Sequence, residues 1–290
     1  MSVVEELVAE VGSAHGRRLT VRGRYPSGRQ GGAWSVVDGD GAAAVLKWGR
    51  DLPAPRMREL AGAVASARAA GYPTPAWLAS GVTSGGSWYC LQDVAPGVPS
   101  TPLTPATVPL LVEVLERQAG LAPDLTFDWN EQVRAMVSGA DGDGHKRAVR
   151  ALGPEGRALV ERYDDLLAAY DRVELPAGDL VHGDFNTCNV LLDGGTVSGV
   201  IDVMALGVGS RVVDYACLLR EAYVEGYGDG VTRRLHEAAA VVAGPAPLAL
   251  CVAATAFFIV GFKRRHEPDA LPRVLTRLHH LADALGEAGP

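Results

Sequence analysis

The sequence predicts an α+β chain, strands in front and helices behind, on three observations. Short strand-like runs separated by glycine turns fill the first third. From Thr104 onward apolar residues recur at helical spacing. Far along the chain, two more apolar runs, 190–192 and 197–201, flank Asp193-Gly194-Gly195, the pattern of a tight β-hairpin.

Residues 3–11 read as a short surface helix, followed by strands at 19–24, 33–38 and 42–48. The first two strands are joined by the glycine-rich segment Tyr25-Pro26-Ser27-Gly28-Arg29-Gln30-Gly31-Gly32, where backbone N–H groups could approach an anion without a Cβ in the way. A plain flexible turn is the simpler reading of the same residues. Residues 53–70 form a helix that ends at Gly71 ahead of Pro73. Strands at 77–82 and 87–92 follow. Helices are then expected at 105–120 with Thr104 as its cap, at 128–138 and at 154–173, the last with proline in its first turn. Beyond the late hairpin come helices at 211–223, 229–242, 247–262 and 269–285.

At 290 residues the chain can bury a substantial core. Its 48% apolar and 21% charged content is that of an ordinary globular protein. A net charge of −7 argues against a general nucleic-acid binder and suits a cationic small partner. Cys90, Cys188, Cys217 and Cys251 are scattered without metal-finger spacing, so reduced thiols and a cytoplasmic location are expected. The start, MSVVEELVAE, lacks the layout of a signal peptide. The apolar run 248–262 is short for a membrane span and reads as a buried core helix. No membrane association is expected, and the chain should be a monomer or weak homodimer.

Lys47 lies in the apolar strand AAAVLKW. In a crevice such a charge needs an opposite partner. Glu59, the single acidic residue of helix 53–70, is the expected one, a solvated glutamate being the alternative. The late hairpin is preceded by a polar loop with His182, Asp184 and Asn189, and its second strand ends at Asp202. Two carboxylates and an amide oxygen are hard donors suited to Mg²⁺, with phosphate and water completing the shell.

The string HGDFNTCN followed by VIDVMALGVGSRVVDYA resembles the HGDxxxxN loop and the IDxxxxxxG…D segment of aminoglycoside phosphotransferases and their wider kinase-like family. The resemblance implies a two-lobed protein-kinase-like fold: a small antiparallel β N-lobe with one helix over residues 1–93, a hinge at 94–99, and a larger, mainly helical C-lobe over 100–290. It implies Asp184 as the catalytic residue that orients a hydroxyl, with Asn189 and Asp202 holding the metal. Lys47, positioned by Glu59, would meet nucleotide phosphates beneath a cover formed by Ser27, Gly28, Gly31 and Gly32. Gln92, Asp93 and Val94 would read adenine through backbone groups, and His182 and Asp214 would support the loop.

By the same resemblance the cofactors are ATP (GTP being possible) and Mg²⁺, and the acceptor is a small-molecule hydroxyl. A cationic antibiotic is favoured, an aminoglycoside or a tuberactinomycin such as viomycin or capreomycin. The acceptor site is expected to draw on Asp128, Glu131, Tyr223, Glu225 and Glu267. The runner-up is a metabolic kinase acting on choline, homoserine, a fructosamine or a sugar. A nucleotide-binding regulator without catalysis is a third reading, against which the presence of the lysine, the catalytic aspartate and the metal ligands all count.

Overall fold

Apolar alternation sorts the first strands onto two faces, and the two faces receive different helices. The computed structural model describes residues 2–25, 32–122, 124–170 and 172–287. The chain opens with α1 (Val3–Ala14), β1 (Leu19–Arg24), β2 (Ala33–Asp38), β3 (Ala43–Gly49), α2 (Ala54–Ala69), β4 (Trp77–Val82) and β5 (Trp88–Asp93). The five strands make one antiparallel sheet in the order β1-β2-β3-β5-β4. Ala44 and Leu46 of β3 turn to one face and join Val36, Leu91 and the apolar side of α1 in a small core. Side chains alternate along a strand, so Lys47 falls on the opposite face, level with Cys90 of β5.

Helix α1 is therefore more than the surface helix expected from its acidic sequence. Val4, Leu7, Val8 and Val11 are buried against the sheet. Its start is fixed by a capping box: Ser2 Oγ accepts from Glu5 N while Glu5 Oε2 accepts from Ser2 N at 2.7 Å. Helix α2 covers the other face, and its Met57, Leu60 and Val64 belong to the core of the helical half. This helix ties the small lobe to the large one.

The chain leaves the sheet at Asp93, whose N–H donates to Ala76 O at 2.9 Å. Gly97 sits at φ +96°, and a Cβ there would strike the Leu192 carbonyl, so only glycine passes this point. The rest comprises β6 (Val98–Pro99), α3 (Val108–Glu116), α4 (Trp129–Ser138), α5 (His145–Arg150), α6 (Pro154–Ala168), β7 (Asp179–Val181), β8 (Val190–Asp193), β9 (Thr196–Val200), β10 (Gly207–Gly209), α7 (Val212–Glu225), α8 (Asp229–Ala243), α9 (Pro245–His266) and α10 (Leu271–Glu287). Helix α3 starts later than expected because Thr104 and Thr107 bond each other in a turn. The glycine- and aspartate-rich residues 139–144, expected as a loop, are followed by the short α5, which was not expected and begins where His145 N donates to Asp141 Oδ2 at 2.9 Å. The short strands β6, β7 and β10 carry too few residues for a readable period.

Helix α9 is long and apolar enough, by length and composition, to cross a bilayer. Here its Leu250, Val252, Ala253 and Phe257 are buried among the other helices.

Candidate active site

The hairpin β8–β9 closes as its sequence predicts: Asp193 faces Thr196, and Gly194 and Gly195 both have positive φ, as a type I′ turn requires. At its open end Ile201 N donates to Asn189 O at 2.8 Å, which sets Asn189 beside the residue preceding Asp202. Asp202 adopts φ 65° and ψ 47°, and it is the one non-glycine residue among those described with positive φ. A left-handed aspartate is uncommon and is retained where surrounding structure holds it. Its Oδ1 lies 3.1 Å from Lys47 Nζ, which reaches it from the sheet above. The lysine side chain is 13% exposed and the aspartate 49%, so the pair stands at the mouth of an interlobe cleft.

The loop between β7 and β8 is held from beneath by one face of α7. Asp214, fully buried, accepts His182 N at 2.7 Å and Gln118 Nε2 at 2.8 Å on Oδ2, and Gly183 N at 2.8 Å on Oδ1. Burial pushes this carboxyl upward, and the donors around it oppose the shift. Asp184 N donates to His182 Nδ1 at 3.3 Å, so Nε2 carries the ring proton and donates to Ile201 O at 2.9 Å. His182 thus spans from the loop to the strand end that carries Asp202. Gly183, at φ +80°, packs so closely on the Trp129 ring that no Cβ fits.

Asp184 stands half-buried where these parts meet. Asn186 Nδ2 donates to its Oδ1 at 3.0 Å and Asn189 Nδ2 to its Oδ2 at 3.2 Å. Burial raises its carboxyl above the usual aspartate value; Arg220 opposes the shift and Asp202 adds to it. With its amide nitrogen engaged on Asp184, Asn189 keeps its oxygen as the atom able to meet a cation. Asn189 and Asp202 therefore offer one amide and one carboxylate oxygen from adjoining strand ends, a donor set that fits a small divalent ion. No cluster of three or more His, Cys, Asp or Glu among the described residues could hold a metal by itself. An ion here would depend on phosphate and water for most of its shell.

Several expected partnerships are different in the structure. Glu59 does not meet Lys47. It pairs with Arg56 at 3.2 Å and accepts from Thr126 Oγ1 at 3.0 and 3.2 Å, because Arg56, one turn earlier, is the nearer cation. Arg56 also donates to Leu206 O and lies over the Phe127 ring, so this end of α2 is fastened to the segment after Asp202. Gln92 lies within the sheet opposite Val45 and Trp77, and the Asp93 N–H is already engaged, leaving Val94 as the first residue past the ladder. Gly32, at φ +82°, borders β2, while Ser27, Gly28 and Gly31 lie outside the described residues.

The acceptor residues divide as well. Asp128 caps α4, its Oδ1 accepting from Asn130 N at 2.7 Å and Glu131 N at 3.2 Å, while Glu131 itself is exposed. Tyr223 turns toward α8, its hydroxyl 3.4 Å from His236 Nε2. Glu225 and Glu267 do come together, joined by Lys263 at 3.7 and 2.7 Å. Phe127 and Trp129, both half-buried, pack edge to face, and the Trp129 ring lies against Gly183 of the loop.

Two important side chains were not anticipated. Glu221 accepts Thr187 N at 3.0 Å and Thr187 Oγ1 at 2.6 Å, and burial raises its carboxyl. Arg220 is buried and donates to Thr255 O at 3.3 Å. A signal for Glu221 was present: it lies seven residues after Asp214, two turns along the same face.

A family model described as the phosphotransferase enzyme family (APH) matches residues 24–251. An aminoglycoside 3'-phosphotransferase of Streptomyces fradiae is 50% identical over 66 residues, which cover 21% of this chain and 25% of that protein, so the chain spans about a quarter of that relative's length. Among solved structures, a thermostable mutant of the aminoglycoside phosphotransferase APH(4)-Ia, in ternary complex with AMP-PNP and hygromycin B, superposes with TM-score 0.67 at 21% identity, covering 100% of this chain and 99% of that one. The amicoumacin kinase hAmiN, in complex with AMP-PNP, Ca²⁺ and its ligand, gives TM-score 0.61 at 13% identity over 95% and 93%. These likenesses carry the fold, two-lobed and kinase-like, with a small β lobe and a larger helical one. With the family model spanning most of its length, the chain belongs to the phosphotransferase enzyme family.

Proposed function

We propose that the protein is an ATP-dependent phosphotransferase that moves the γ-phosphoryl group to a hydroxyl of a cationic small molecule. An antibiotic of the aminoglycoside or tuberactinomycin kind is the favoured acceptor, and its modification would confer resistance. One observation carries the reading: Asp184 is oriented by two amides beside the facing pair Lys47 and Asp202. Two of the named relatives are aminoglycoside phosphotransferases, and the structure of one of them holds hygromycin B.

In this mechanism Asp184 accepts a hydrogen bond from the acceptor hydroxyl and takes its proton as the oxygen bonds to the γ-phosphorus and the bond from that phosphorus to the departing ADP breaks. Lys47 leaves Asp202 and turns its ammonium to the nucleotide phosphates. Asp202 and the Asn189 oxygen would hold Mg²⁺, which when bound would neutralise phosphate charge. Val94 offers the first backbone N–H past the sheet to the base. Such chemistry asks the protein mainly for positioning and electrostatic stabilisation. The acidic end of α7, with the exposed Glu225, gives a cationic acceptor a favourable approach.

The test is incubation with ATP or GTP and Mg²⁺ against a panel of aminoglycosides, tuberactinomycins and neutral metabolite alcohols, read by mass spectrometry. A phosphorylated cationic antibiotic is the expected product. Phosphorylation confined to the neutral alcohols would overturn the acceptor assignment, and no product from any of them would overturn the activity.

A further inference from the structure

The loop carrying Asp184 is anchored at three places, two of which follow from residues already discussed. Asp214 fixes its start at His182 and Gly183, and the hairpin fixes its end at Asn189. Between them lies Thr187, three residues after Asp184 and two before Asn189, with no strand to hold it.

Every polar group of Thr187 is nevertheless engaged, and its side chain is fully buried. Its N–H and hydroxyl donate to the two carboxylate oxygens of Glu221, at 3.0 and 2.6 Å. Its carbonyl accepts from Ser100 N at 3.0 Å and Ser100 Oγ at 3.1 Å. Tyr227 adds a third donor to Glu221, at 3.3 Å, and its hydroxyl also meets Thr101 Oγ1 at 3.3 Å. The loop is thus gripped between α7 and the strand that follows the interlobe crossing.

We infer that Glu221 is a positioning residue, whose bidentate hold on Thr187 fixes Asp184 relative to Asn189. This rests on the proposed phosphotransfer for its meaning in turnover, though not for its structural content. Hydrogen bonds to an ionised carboxylate are the strong ones, and two on one residue fix direction as well as distance. A base held loosely by even about 1 Å loses much of its effect. Glu221 acts through Thr187 and is not assigned contact with the reacting atoms.

The experiment compares Glu221→Leu, Thr187→Val, Glu221→Gln and Thr187→Ser with the wild type by hydrogen exchange and by turnover. Exchange of the peptide covering residues 182–189 needs no acceptor. It should quicken on the order of tenfold in Glu221→Leu and Thr187→Val, the scale of one lost charge-assisted bond. Peptides of the β sheet should exchange as in the wild type. Thr187→Ser, which keeps the hydroxyl, should stay near the wild type, and Glu221→Gln, which keeps the shape and loses the charge, should fall between the wild type and Glu221→Leu.

With an acceptor from the panel, Glu221→Leu should lower kcat about tenfold or more while nucleotide KM moves less than about threefold. Unchanged loop exchange in a folded Glu221→Leu or Thr187→Val protein would overturn the inference. So would a rise in acceptor KM at unchanged kcat, which would make Glu221 an acceptor contact. If Glu221→Leu fails to fold, Thr187→Val carries the same two readouts. An enzyme inactive on the whole panel would defeat the proposed function alone, and the exchange data would still decide this inference.

Discussion

Lys47 Nζ and Asp202 Oδ1 meet at 3.1 Å across the cleft, and each satisfies the other where Glu59 was expected to serve the lysine. The contact joins the β3 lysine directly to the carboxylate at the hairpin's end, the two groups proposed to meet nucleotide phosphate and metal. Lys47→Met should therefore raise nucleotide KM roughly 10-fold or more, the scale of a charge-assisted hydrogen bond. Glu59→Gln disturbs only the Arg56 and Thr126 contacts and should leave nucleotide KM within about threefold, as a partly exposed pair contributes about 1 kcal/mol or less. Steady-state kinetics on the two variants distinguishes the arrangement: an equal loss in both would mean that Glu59 serves the lysine after all.

Asp184→Asn keeps the shape, sets one amide donor against Asn186 or Asn189, and removes the carboxylate that would take the proton. Turnover should fall by about 10²–10⁴-fold, the usual contribution of a general base, in a protein that circular dichroism shows to be folded. A variant retaining half the wild-type rate would move the role elsewhere.

Glu221 gives the protein a pH signature. Burial raises its carboxyl above the ordinary 4.5, so the folded state holds this proton more tightly than the unfolded chain. Its contribution to stability is complete below the unfolded value and is lost as pH rises through the raised folded value. Glu221→Gln removes that titration. Its Tm relative to the wild type should climb as pH is taken from about 4 toward 8. A difference that is flat or falls over that range would contradict the shift.

Lys263 places one ammonium between Glu225 and Glu267, at 3.7 and 2.7 Å, and Arg273 lies 3.9 Å from Glu225, so removing the ammonium makes this patch more negative. Lys263→Met should strengthen binding of a polycationic probe such as spermine, by roughly 10-fold at low salt and less at high salt. Titration calorimetry at two ionic strengths reads both effects, and weaker binding by the variant would show that the lysine organises the site instead.

Much of this molecule was legible in the sequence because the responsible forces are local. Alternation in β3 puts Lys47 on the face opposite Ala44 and Leu46. Two glycines able to take positive φ close the hairpin and so bring Asn189 toward Asp202. The HGDFNTCN string locates the polar loop before any coordinate is known. Tertiary structure alone decided which charges meet. A helix's periodicity names the face on which Glu59, Glu221 or Tyr223 lies, but partner choice depends on which other element arrives within about 3 Å. Arg56 reached Glu59 first, His236 took Tyr223, and Thr187, far away in sequence, came to Glu221. Hydrogen bonds and ion pairs act over such short distances that only the packed chain can assign them.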